Sequence, residues 1–420
     1  MPEWRKYRLE NILSIVKNSV KPCNIEECNY IGLEHIAKKS FLLNYIGSSQ
    51  DVESNKYFFQ PNDILYGKLR PYFQKVYKPN FEGICSTDIY VIRTKDERVV
   101  SQDFLYQIVR EKKFTEWAME GHTGTRMPRA DWQALRKKKV LLPIDLIEQH
   151  RIAEILGALD DKIELNLEMN KTLEEMAMAI YKEWFVDFGP FRDGEFVDSE
   201  LGLIPKGWEL KTINAIIKEI IDHRGKTPKK MGGTWTKSKN NTIPALSAKN
   251  IKNGTIVQED SIRYIDRELY DKWMPIKLES GDILMTSEAP LGELFFLAVK
   301  EDYCLSQRLF ALRTNTKLIL PWCLFFWLKS YRGQHLLSRR ATGSTVVGIR
   351  QAELRKVEIL KPPIHVQMEQ DNIINCIFVK MEANIRENQI LKKTRDYLLP
   401  KLISGEIRVK AAEEKLKEVL

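Results

Sequence analysis

The sequence predicts an α+β protein made of two related, α/β-mixed globular domains, each followed by one long helix, and three observations carry that reading. The two halves of the chain match each other at a drifting offset. Each half closes on a short apolar run and a proline before a long helical pattern opens. Both helical patterns keep one apolar spacing over four heptads.

The internal match comes first because a period of half a chain decides the fold class. Trp4 and Leu9 correspond to Trp208 and Ile213, an offset of 204. Leu33-Glu34-His35-Ile36 aligns with Ala248-Lys249-Asn250-Ile251 at 215, and Asp63-Ile64-Leu65 with Asp282-Ile283-Leu284 at 219. The stretch from Thr123-Gly124 to Leu135-Arg136 also matches Thr342-Gly343 to Leu354-Arg355 at 219. Loop insertions in the second copy account for the drift. Short β-branched or aromatic runs such as Asp88 to Ile92 and Leu309 to Leu312, set between turn signals, predict mixed domains over 1–144 and 206–362.

Each domain ends alike. Val140-Leu141-Leu142-Pro143 precedes Glu148-Gln149 in the first copy, and Ile359-Leu360-Lys361-Pro362-Pro363 precedes Glu369-Gln370 in the second. Proline is tolerated at a helix start and not inside, so the helices are expected over 145–188 and 363–405, with a linker at 189–205 and a charged tail at 406–420. At 1.5 Å per residue, each helix is about 60 Å long.

The first helix carries Leu156, Leu159, Ile163, Asn166, Asn170, Leu173, Ala177, Ile180 and Trp184 at alternating steps of three and four. At an offset of 218 the second carries Ile374, Ile377, Met381, Asn384, Asn388, Leu391, Arg395, Leu398 and Leu402. Such spacing is the seam of a coiled coil. The core of the helix pair is therefore expected at Leu159, Ile163, Asn166, Asn170, Leu173, Ile377, Met381, Asn384, Asn388 and Leu391. Asparagine in a seam costs stability and fixes register.

Composition narrows the function classes. The chain has 420 residues, is 43% apolar and lacks any run suited to a membrane span. Its first residues show no signal-peptide pattern and its six cysteines are scattered, so the expected location is the cytoplasm. Lys and Arg outnumber Asp and Glu by 66 to 57, a balance suited to a polyanionic partner. The basic residues gather in a turn-rich stretch, where Arg224, Lys226, Lys229, Lys230, Lys237 and Lys239 face one acid, Asp222, and around Arg126, Arg129 and Arg136 to Lys139.

Catalytic signatures are missing. The chain holds no Gly-x-Gly-x-x-Gly, no Gly-x-x-x-x-Gly-Lys-Ser/Thr, no Gly-x-Ser-x-Gly and no Asn- or Asp-Pro-Pro-aromatic string. The nearest nuclease-like set is Asp198 with Glu209 and Lys211, whose Trp208-Glu209-Leu210 context the repeat explains. Cys23, Cys28 and His35 lack the fourth ligand of a structural zinc site. Trp322, Phe325, Phe326 and Trp327 stand at helical spacing and read as core.

The order of domain, helix, domain, helix resembles the specificity subunit of type I restriction-modification systems, HsdS. So do Trp184-Phe185-Val186-Asp187-Phe188 leading to Ile204-Pro205-Lys206-Gly207-Trp208, Arg224-Gly225-Lys226-Thr227-Pro228, Ser306-Gln307-Arg308-Leu309-Phe310, Gly67-Lys68-Leu69-Arg70-Pro71 and Thr342-Gly343-Ser344-Thr345. The resemblance spans essentially the whole chain, although the first domain lacks the Arg-Gly-Lys-Thr-Pro string. It implies two target-recognition domains held apart by two antiparallel helices, each domain reading half of a split target in double-stranded DNA. The chain itself would be non-catalytic and bind no cofactor. Two methyltransferase (M) subunits would dock on the helices and restriction (R) subunits would join them. S-adenosylmethionine, ATP and Mg would belong to those partners. A DNA-binding adaptor or regulator outside restriction is the second class, and a nuclease the third.

Two residue-level expectations follow. Basic residues in turns and after strands mark DNA contacts at Lys68, Arg70, Arg126 and Arg129 in the first domain and at Arg224, Lys226, Lys229, Arg308 and Arg350 in the second. A pseudo-twofold antiparallel pairing of the helices puts Asn166 beside Asn388 and Asn170 beside Asn384, whereas a parallel pair would join Asn166 to Asn384.

Overall fold

A computed structural model of the chain describes residues 3–120, 127–236, 238, 240–343 and 346–419. Two compact units partition it: Met1–Leu167 with Arg386–Leu420, and Glu168–Ile385. Both long helices are therefore shared, each unit taking the part that packs on its own domain.

In the first unit, strands β1 (Leu13–Val16), β2 (Ile64–Gly67), β3 (Val76–Tyr77) and β4 (Ile89–Thr94) form an antiparallel sheet in the order β1-β4-β2-β3. Helix α1 (Leu146–Phe185) follows. The second unit repeats the sheet with β5 (Ile217–Asp222), β6 (Ile283–Thr286), β7 (Leu294–Phe296) and β8 (Leu309–Thr314), in the order β5-β8-β6-β7. Helix α2 (Ile364–Ser404) follows there. The matching sequence strings are thus matching strands. The repeated aspartate has a structural cause: buried Asp63 takes two 2.7 Å bonds from Arg93, and buried Asp282 takes bonds of 2.9 and 2.7 Å from Arg313. A buried carboxylate requires such a partner.

The start of each long helix is tied to its domain by a buried glutamine. Gln149 accepts from the Ser101 amide and donates to the carbonyls of Val99 and Pro143, all at 2.9 Å. Gln367 accepts from Leu320 at 2.7 Å and donates to Leu318 and Pro362. The counterpart of Gln149 is therefore Gln367 and not the Gln370 of the Glu369-Gln370 pair, because only at an offset of 218 does the amide face the same three backbone groups.

Within the first unit the helix segments run antiparallel. Asp160 meets Arg395 at 2.9 Å, and Asn166 donates to Asn388 at 2.9 Å while Asn388 donates to the carbonyl of Ile163. In the second unit Asn384 donates to Asn170 at 2.8 Å, and Asn170 donates to the Met381 carbonyl. These are the partners that antiparallel pairing requires. Leu159, Ile163 and Leu391 are buried in the first unit's core, Ile377 is buried in the second's, and Leu173 and Met381 pack at its margin. Trp322, Phe325, Phe326 and Trp327 are buried there as well.

The seam is not symmetric between copies. Asp160 is shared by Arg395 and the fully buried Arg110, and both guanidinium groups lie over Phe41, at 5.0 and 4.1 Å from its ring centroid. The counterparts of Asp160 and Arg395 at an offset of 218 are Phe378 and Ala177. Phe378 stacks on Phe296 at 4.1 Å between ring centroids. The stretch expected as a charged tail is helix α3 (Val409–Val419), whose Val409 and Ala412 are buried in the first core. Its apolar positions at i and i+3 give it a face to bury, which the charge count had masked. Among the described residues no helix is long and apolar enough to cross a membrane.

Candidate nucleic-acid interface

Strand β2 runs into Lys68-Leu69-Arg70, and three chain segments meet at that strand end. The Lys68 amide donates to the Asp88 carbonyl at 2.9 Å, and the Ala130 amide donates to the Lys68 carbonyl at 2.8 Å. Leu69 bridges Arg129, and the Arg70 amide donates to Pro128 at 2.7 Å. The second copy repeats this junction. Ser287 donates to the Arg308 carbonyl and Ile349 to the Ser287 carbonyl, both at 2.9 Å, and Glu288 bridges Gly348. Arg70 and its counterpart Ala289 both hold left-handed backbone, φ 53° and 52°. Non-glycine residues rarely sit there, so the turn is held by its surroundings.

The backbone scaffold is common and the charges on it are not. In the first junction Arg129, 62% exposed, pairs with Asp88 at 3.3 Å. In the second, Arg308 stands where Asp88 stands in the first, and its Nε lies 2.8 Å from Glu288. An aromatic ring carries a cation in each: Lys68 lies over Tyr90 at 5.6 Å and Arg224 over Phe310 at 4.1 Å. Burial pulls the Lys68 ammonium below its ordinary pKa, with Asp88 opposing that shift.

The structure brings together Lys68, Arg70 and Arg129 at the first junction and Arg224, Arg308 and Arg350 at the second. Asp222 pairs with Phe310 at the end of β5, which sets Arg224 beside the turn before β8, and Arg350 follows Ile349 directly. Arg224 is locked by two bonds to Asp222, at 2.9 and 2.8 Å. Lys226 donates to the Trp273 carbonyl at 2.8 Å, and Lys229 is exposed in a short 3-10 turn. Arg126, Lys237 and Lys239 lie outside the described residues. Of the second basic cluster, Arg136 faces Glu10 and Lys138 is paired with Glu120.

Sequence reasoning missed the acids, Asp88 and Glu288, that orient the arginines. One residue more lies between β6 and β8 than between β2 and β4, so Asp88 and Arg308 align at 220 and escape an alignment fixed at 219. The alternative sites have structural explanations. His35 Nδ1 accepts from the Gly32 amide at 3.1 Å, the same turn that Asn250 closes by accepting from Ser247. Glu209 is engaged by Lys361 at 2.9 Å across paired strands. Among the described residues no group of His, Cys, Asp and Glu is arranged to hold a metal ion.

The comparisons with known proteins agree with this architecture. The chain is 28% identical to the type I restriction enzyme MjaIX specificity subunit of Methanocaldococcus jannaschii, over 74% of this chain and 70% of that one. It is 24% identical to the HindI specificity subunit of Haemophilus influenzae, over 97% of this chain and all of that one. The crystal structure of the type I restriction-modification S subunit from M. genitalium shares the fold, with a TM-score of 0.55 at 15% identity and 96% of each chain covered. The family model for the type I restriction modification DNA specificity domain matches twice, at residues 1–175 and 205–393, one match to each repeat, and the chain belongs to that family.

Proposed function

We propose that this chain is the sequence-reading specificity subunit of a type I restriction-modification complex, a non-catalytic component that binds double-stranded DNA and directs methyltransferase and restriction subunits to it. The observation that carries the reading is the repeated junction, one in each family-matched domain, where the same backbone scaffold presents a different set of cations. Each domain reads one half of a bipartite target. The fixed rise per residue of α1 and α2 makes the spacing of the halves a property of their length. Exposed apolar side chains on the helices, Leu165, Leu167, Met176, Ile373, Val379 and Ile390, suit docking of the two methyltransferase subunits. The chain itself binds no cofactor, and S-adenosylmethionine, ATP and Mg serve the partner subunits.

Co-expression with a type I methyltransferase subunit, followed by mapping of methylated bases in the host DNA, tests this. Methylation confined to one bipartite sequence, and only when both chains are present, is the expected result. A chain that binds DNA but does not co-purify with the methyltransferase would be a regulator instead.

A further inference from the structure

We infer that Arg308, oriented by Glu288, is a base-reading arginine of the second domain, and that the first domain carries its counterpart, Arg129 oriented by Asp88, on the opposite arm of the same junction. The inference rests on the chain being a DNA reader and sorts its cations by task. An arginine reads guanine by offering two N–H groups to O6 and N7, so a reader needs an accessible and pre-set guanidinium. Arg308 meets both conditions. Its side chain is 48% exposed, and its contact with Glu288 is closest at Nε, the inner nitrogen. Its backbone is left-handed at φ 65°, a strained setting that the junction's hydrogen bonds hold in place.

Two neighbouring cations of the second domain differ. Arg224 spends Nε and Nη2 on Asp222 and rests its face on Phe310, which fits a supporting role. Lys226 is turned back to a backbone carbonyl. Exposed ion pairs such as Arg308 with Glu288 contribute little to folding, so engaging a base edge would cost the fold little.

The first junction exchanges the carriers, and Arg129 meets Asp88 through Nη2 rather than through the inner nitrogen. Its acid stands at 88, where the second copy has its arginine, and its arginine stands at 129, where the second copy has Gly348. A Cβ at Gly348 would lie 2.8 Å from the Glu288 Cβ and 3.0 Å from the Ser287 carbonyl oxygen, so an arginine on that arm would require the turn to shift. The two domains therefore present a guanine-reading group from different arms, and the guanine each selects falls at a different place in its half-site.

Selection of the full chain against a double-stranded DNA library randomised in both halves tests the assignment. Arg308→Ala and Arg308→Lys should each lower the preference at one guanine of one half-site by about ten- to a hundred-fold and leave the other half intact, and Arg129→Ala should do the reverse. Glu288→Gln should blunt the same position as Arg308→Ala, and Glu288→Asp should restore part of it. An even loss across all sequences, with the slope of log affinity against log salt falling by about one, would make Arg308 a phosphate contact and overturn the assignment. A wild-type chain that selects no sequence would overturn the DNA-reading function along with it.

Discussion

The side-chain amide of Asn166 donates to Asn388 at 2.9 Å inside the helix seam, where Asn166 is fully buried. Leucine at either position would bury more apolar surface, so the pair holds register at a cost in stability.

Asn166→Ala should therefore destabilise the protein by about 1–3 kcal/mol, because Asn388 keeps its buried polar atoms and loses a partner. Asn166→Leu combined with Asn388→Leu should be near neutral or stabilising. Urea titration followed by circular dichroism checks both, and cysteines at 166 with 388 should oxidise readily to a disulfide.

Asp160 pairs with two buried arginines, Arg110 and Arg395, the second of which is also held by Asp396 at 2.8 Å. Asp160→Ala should cost about 3–5 kcal/mol, since an uncompensated buried charge is worse than no charge at all. Replacing Asp160, Arg110 and Arg395 together by apolar residues of similar volume should recover most of that loss. Thermal melts of the single and triple variants would show it.

Glu111 sits between two helices, and burial pushes its carboxyl pKa from 4.5 up to about 6. The folded state then holds the proton more tightly than the unfolded chain, so stability falls as pH rises from 4.5 to 6 by about 2 kcal/mol at most. Glu111→Gln should remove that slope. Denaturation midpoints measured across the interval for both proteins decide the matter.

Lys229 is exposed and free of the junction's backbone network. Lys229→Ala should weaken binding evenly across DNA sequences and reduce the salt slope by about one, without altering the selected bases. Fluorescence anisotropy at several salt concentrations measures it.

Much of the architecture was legible in the sequence because it is written in periods. The seam is a run of steps of three and four, so α1 and α2 were placed to within three residues and their asparagine partners followed from one offset. The candidate site was legible only in its cations. Asp88 and Glu288 are ordinary acids in sequence and acquire meaning when three segments converge on one strand end. The Arg110 contact was hidden for the same reason, since a lone arginine in a short amphipathic helix reads as surface until Asp160 is found against it. Helix α3 was obscured by its charges, although Val409 and Ala412 already marked its buried side.

The triad of Arg110, Asp160 and Arg395 also bears on how freely such a molecule can change its target. Arg110 belongs to the first domain, while Asp160 and Arg395 belong to the two helices. A foreign reading domain grafted at residue 144 would bring its own residue to the place of Arg110, and unless that residue were cationic, Asp160 would keep only Arg395. The second domain meets its helix through aromatic stacking at Phe378 and sets a condition of shape there instead. The two modules of this chain are thus keyed to different sockets, one of charge and one of shape, and exchanging the two domains would set each against the wrong one.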